Sequence, residues 1–158
     1  MARKNPSVGP SHGLHHHPSL SLPEAATQTW KRGAILVDNG SGYLGEAAAN
    51  PVDIIGIAMD AGQNGTAAGD KTARVAVPGP HCTFEMSLDS AGGLGRATVQ
   101  GDLFEKYGIT KDGDGRWYVD VDKTGANARV VVVGFKDAVG TASGVVYVQF
   151  LAGTTIYG

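Results

Sequence analysis

The sequence predicts a small all-β domain, a barrel or two packed sheets, behind an extended N-terminal arm. Three observations carry this. Twenty-four of the 158 residues are glycine. Two valine-rich runs, Arg129-Val-Val-Val-Val-Gly-Phe135 and Gly144-Val-Val-Tyr-Val-Gln-Phe150, occupy the C-terminal third. Short apolar segments recur between Gly-, Asn- and Asp-rich turns, the pattern of a β domain rather than a helical one.

Residues 1–27 form the predicted arm. They hold Pro6, Pro10, Pro18 and Pro23, four histidines and few large apolar groups. Such a segment buries too little to offset its ordering entropy. The core is therefore expected from residues 28–158, with the arm contributing little to folding.

The body reads element by element. Trp30–Val37 is the first strand, and Asn39-Gly40-Ser41-Gly42 is a hairpin signal. Tyr43–Ala47 returns, and Asn50-Pro51 breaks the pattern because the residue before proline leaves the helical region. Ile54–Met59 is a compact buried strand. Gly62–Asp70 is a loop, Thr72–Val77 a strand ended by Pro78-Gly79-Pro80. From Cys82 to Leu88 the residues alternate: Thr83, Glu85 and Ser87 against Phe84, Met86 and Leu88. Val99, Leu103, Phe104 and Tyr107 share one helical face, so a short helix is expected over Val99–Tyr107, with Gly108 just past its end. Lys111–Gly115 turns into the strand Trp117–Val121. The two valine-rich strands follow, joined by Asp137–Gly144. The apolar stretch Val130–Val133 is expected to need cover on both faces.

Composition narrows function. The net charge is -2 and no dense Lys/Arg cluster exists, so nucleic acid is not an expected partner. Arg3 and Lys4 are followed by no apolar run, and no stretch approaches a bilayer span, so neither a secretory signal nor a membrane is expected. Cys82 is the single cysteine, and it excludes an intramolecular disulfide framework.

The candidate chemistry is thin. His81 and Cys82 are neighbours on an expected strand, so their side chains point to opposite faces rather than forming a nucleophile–base pair. His12, His15, His16 and His17 have imidazoles that suit transition metals, but the arm offers no preorganised site. Asp112-Gly-Asp-Gly115 opens like a calcium loop, yet the twelfth position is Lys123 rather than glutamate. Gly69-Asp-Lys-Thr72 places Asp70 where a phosphate loop needs glycine or a neutral group, and Gly92-Gly-Leu-Gly95 lacks the final glycine of a dinucleotide fingerprint. Trp30 and Trp117 read as core or interface anchors before a sugar platform. No enzyme activity, cofactor or metal is expected.

The ordered series Trp30-Lys-Arg-Gly-Ala-Ile-Leu-Val37, Gly42-Tyr-Leu-Gly-Glu-Ala47, Asn50-Pro51 and Ile54-Ile-Gly-Ile-Ala58 resembles the opening of tailed-phage head decoration, or cement, proteins. Val75-Ala-Val-Pro-Gly-Pro80, Thr83–Leu88, Asp102–Ile109, Gly115–Asp120 and Val130–Val148 continue the resemblance. It implies a small β-barrel or tulip-like β-fold that binds the outside of an expanded capsid. The partners it implies are the major capsid protein and two further copies in a homotrimer. The protein would be made in the bacterial cytoplasm and would reside on the virion exterior. An arm in this family reaches over the shell, which makes Arg3, Lys4, Leu14, Leu20, Leu22 and Trp30 the expected contacts. A carbohydrate- or receptor-binding β module of a tail or fibre is the alternative.

Overall fold

The computed structural model describes residues 3–9 and 18–157. Eleven strands run in chain order: β1 (Ser7–Val8), β2 (Ser19–Pro23), β3 (Ile35–Asp38), β4 (Leu44–Glu46), β5 (Ile54–Ala58), β6 (Thr72–Ala76), β7 (Phe84–Asp89), β8 (Lys106–Lys111), β9 (Trp117–Asp120), β10 (Val130–Phe135) and β11 (Val145–Phe150). Two short 3-10 turns, Gln100–Asp102 and Gly125–Asn127, are the helical pieces among the described residues. The all-β expectation holds, and five strands close into a barrel.

The barrel runs β7-β11-β10-β8-β9 and shuts where β9 pairs parallel with β7, Leu88 opposite Val119 and Asp89 opposite Asp120. Closure pairs the far end of β7, which reduces the free sheet edge that would otherwise invite pairing with another chain. β1 extends the remaining free edge of β7, Ser7 opposite Glu85. The second sheet has the order β2-β6-β5-β3-β4. A single bridge, Glu24 to Leu44, draws its two outer strands together at one end.

One continuous core joins the two sheets. Phe84, Met86 and Leu88 of β7 meet Ile109, Trp117, Val119, Val130, Val132, Val146 and Val148, and the same buried cluster continues into Ile35, Leu36, Ile54, Ile57 and Val75. Removing each such large side chain from water contributes about 2 kcal/mol. The alternation expected for β7 is present on its apolar side, but Thr83 and Ser87 are buried too. β5 is buried along its whole length, as a strand covered on both faces must be. It passes so close to β6 that a Cβ on Gly56 would lie 2.3 Å from the Ala76 carbonyl oxygen, which only glycine permits.

Three expectations are corrected. Val130–Val133 is not covered on both faces, since Val131 and Val133 stay half-buried. A bulge between Val132 and Gly134 inserts Val133 as an unpaired residue against β11.

The helix over Val99–Tyr107 is replaced by one 3-10 turn followed by the start of β8. Val99 and Phe104 are exposed rather than forming a buried stripe. The Phe104 N–H donates to the Val132 carbonyl and the Val132 N–H to the Glu105 carbonyl. That ladder takes the backbone groups a helix would need, and tertiary pairing overrides the spacing.

The described part of the arm, residues 3–9 and 18–27, is not separate from the body. Residues 3–9 lie along the barrel and β2 forms five register pairs with β6. Arg3 is 8% exposed, with its guanidinium 3.7 Å from the centre of the Tyr118 ring and Nη2 donating to the Ser90 carbonyl. Its Nε lies 3.3 Å from Asp89 Oδ2, an ion pair without the alignment of a hydrogen bond. Gly33 takes φ +89 beneath this strand, where a Cβ would meet the Pro6 carbonyl oxygen at 2.6 Å. Edge pairing and charge, not apolar bulk, order these residues, which is why counting apolar groups missed them.

Candidate interaction surface

Buried carboxylates organise the loops at one end of the barrel. Asp89 ends β7, Asp120 ends β9 and Asp102 ends the first 3-10 turn, and all three are buried. Asp89 accepts the Ser143 hydroxyl at 2.6 Å and the N–H groups of Ser90, Arg96 and Gly95 at 2.9, 3.1 and 3.3 Å. One side chain thus ties the loop after β7 to the loop before β11. Burial alone would raise the Asp89 pKa, but these donors together hold it below its ordinary value.

Asp102 accepts both terminal nitrogens of Arg96 at 2.8 Å, the Val99 N–H at 2.8 Å and the Tyr107 hydroxyl at 3.0 Å. Burial again pushes its carboxyl upward, and the bonds led by Arg96 outweigh it and leave it low. Tyr107 responds in the opposite direction: burial, then its bond to Asp102, pushes the phenol up to about 12. Asp120 accepts the Thr110 hydroxyl, the Lys123 ammonium and the N–H groups of Ala91 and Asp122.

On this frame stand Leu94, Val99, Phe104 and Val139, 62%, 49%, 70% and 46% exposed. Their loops are laced together. Ala97 bridges Ala142, the Thr98 N–H donates to the Thr141 carbonyl and the Gly140 N–H to the Thr98 carbonyl. Phe104 has φ +68, a left-handed conformation that costs a bulky residue about 1–3 kcal/mol and persists only where its surroundings impose it. Asp102 on one side and Val132 on the other impose it here. Large apolar groups held rigidly in solvent can exclude water against a partner with little ordering cost.

The expected contact residues are dispersed. Arg3 is sealed against Asp89 and Tyr118, so it anchors the fold. Lys4 is exposed, and its ammonium lies 3.8 Å from Asp137. Leu20 is exposed on β2, while Leu22 is half-buried against the core. Trp30 is buried and donates its indole N–H to the Asp60 carbonyl. Leu14 and the four histidines at 12 and 15–17 lie outside the described residues. The exposed set on the barrel end was missed, although Val99 and Phe104 had stood out as a presumed helix face. The buried aspartates left a weaker signal, an acidic residue closing each of two apolar strands.

Elsewhere the chemistry does not converge. His81 is exposed on the turn before β7 rather than on the strand, and burial pushes the Cys82 thiol up from its ordinary value. Asp112 accepts the N–H groups of Asp114 and Arg116 and faces Arg3, so it braces the β8–β9 turn. Trp117 is buried with its indole N–H on Glu46, so neither tryptophan forms an exposed sugar platform. A cleft of about 420 Å³ beside Pro78–Pro80 is lined by Gln149, Phe150, Leu151, Ala152, Thr155 and Tyr157, without an acid, base or nucleophile pair. Among the described residues no group of three His, Cys, Asp or Glu side chains is placed to hold a metal ion, and no helix is long and apolar enough to cross a membrane. No protein-family model matches the chain, and no curated protein matches it.

Proposed function

We propose that this protein is a capsid decoration protein that binds the outer surface of an expanded phage head and holds neighbouring capsomers together. The carrying observation is the rigid apolar end of the barrel, with Leu94, Val99, Phe104 and Val139 exposed on loops stapled by buried carboxylates. The ordered resemblance from Trp30 to Val148 supports the same reading. In this reading the barrel end faces the shell, while Lys4 and Leu20 are the expected contacts among the described arm residues that remain exposed to touch it. Three copies around a capsomer junction would bind with avidity that single weak contacts lack. A protein that binds only the expanded lattice stabilises it by mass action.

Co-sedimentation with expanded, undecorated capsids and with unexpanded shells tests the reading. Pelleting with expanded capsids alone is expected. Equal pelleting with both, or with neither, overturns it.

A further inference from the structure

The hairpin joining β3 to β4 exposes the sequence Asp38-Asn39-Gly40-Ser41-Gly42. Two side chains organise it. Asp38 Oδ1 accepts the Gly40 N–H at 3.0 Å and the Gly42 N–H at 2.8 Å. Asn39 Oδ1 accepts the Ser41 N–H at 3.0 Å and the Tyr43 N–H at 3.3 Å. Gly40 sits at φ +90 with open space where a Cβ would be.

These contacts supply two needs of one intramolecular reaction, an acceptor for the departing proton and donors to the carbonyl oxygen. The Gly40 nitrogen is the main-chain nucleophile that closes a ring on the Asn39 side-chain carbonyl carbon. Its proton is already bonded to a carboxylate, the arrangement of a general base. The oxygen of the attacked carbonyl, Asn39 Oδ1, already accepts two backbone N–H groups, the arrangement of an oxyanion hole. Asn39 is exposed, so its amide nitrogen can leave into water.

We propose that Asn39 is a self-modifying site, converted through a cyclic imide to aspartate and isoaspartate with Asp38 as the base. In the first step a bond forms between the Gly40 nitrogen and Asn39 Cγ, and the Cγ–Nδ2 bond breaks. The Gly40 proton passes through Asp38 and solvent to the departing nitrogen, which leaves as ammonia. In the second step one water adds to either imide carbonyl. Opening at Cγ breaks the Cγ–N bond to Gly40, returns a proton to that nitrogen and leaves the water oxygen on Cγ, so that Asn39 becomes aspartate. Opening at the main-chain carbonyl routes the backbone through the side chain as isoaspartate. Nothing is oxidised or reduced. Either product adds negative charge at the hairpin tip, next to Asp38.

The chain carries its own comparison. Asn64-Gly65 is the second Asn-Gly pair, and Asn64 is also exposed. Among the described residues no carboxylate accepts the Gly65 N–H, and no N–H donates to Asn64 Oδ1.

The test is peptide-mapping mass spectrometry of the full-length protein held at neutral pH and 37 °C. The Asn39 peptide is expected to gain the mass of an amide-to-acid exchange about tenfold faster than the Asn64 peptide, or more, the scale of a modest general-base contribution. Asp38→Asn keeps an acceptor for Gly40 and Gly42 but removes the base, and is expected to bring Asn39 down to the Asn64 rate. In the unmutated chain the Asn39 rate is expected to rise less steeply with pH than the Asn64 rate, a readout independent of any variant. Equal rates at the two sites, an unchanged rate in Asp38→Asn, or identical pH slopes would overturn the proposal.

Discussion

At Phe104, stability and binding are set against each other. The side chain is mostly in water and the backbone is held at φ +68. Phe104→Gly is expected to leave the melting temperature unchanged or slightly higher, because glycine relieves about 1 kcal/mol of left-handed strain while its freer unfolded chain takes some of that back. The same variant is expected to lose capsid binding. A large fall in melting temperature would show that Phe104 is a packing residue instead. Asp102 is the opposite case. It receives four hydrogen bonds in a buried place, and Asp102→Ala leaves the Arg96 charge and the Tyr107 hydroxyl without their partner. A loss of about 3 kcal/mol in denaturant unfolding is expected. Its folded pKa, like that of Asp89, lies below the unfolded value of 3.8. The stability these two contribute is therefore complete above that value and is lost as pH falls through their lower folded values. Unfolding free energy measured against pH is expected to be flat from about pH 7 to 5 and to fall below about pH 4, with a shallower fall in Asp102→Asn.

Among the elements, the N-terminal strand carries the sharpest expectation. Arg3, β1 and the bond from the Lys4 N–H to Ser87 Oγ close over the polar side of β7. Arg3→Ala leaves Asp89 and Asp112 without a cation that is nearly sealed from water, and a loss of about 2–3 kcal/mol is expected in the same unfolding experiment. No change would mean that the strand rests on the barrel without supporting it. The strands of the body were legible because their signals are local: β-branched runs, Asn-Gly and Asp-Gly turns, and the two-residue alternation of Phe84, Met86 and Leu88. What was not legible depends on partners distant in sequence. Residues 3–9 are ordered by β7, some eighty positions away, and their own composition says nothing of Asp89 or Tyr118. The Val99–Tyr107 spacing fits a helix, but Val132 takes its backbone bonds. For the candidate surface, only the apolar character of Val99 and Phe104 was visible. Their exposure follows from the Asp102 and Val132 contacts that sequence spacing does not show.

For the whole molecule, the chain weaves a closed barrel and a second sheet around one core, and places Leu94, Val99, Phe104 and Val139, four of its exposed large apolar groups, on the braced loops of one barrel end. That distribution suits adhesion to a large protein surface better than chemistry in a cleft. Under the proposed function each copy need contribute only a modest interface, because interfaces at the small end of the size range become effective when many copies act on one lattice. The claim that these copies cement a shell is tested most directly by heating filled capsids, assembled with and without the protein, and recording the temperature at which DNA is released. A higher release temperature with the protein, abolished by Phe104→Gly, is expected. The same release temperature with and without the protein would contradict the account.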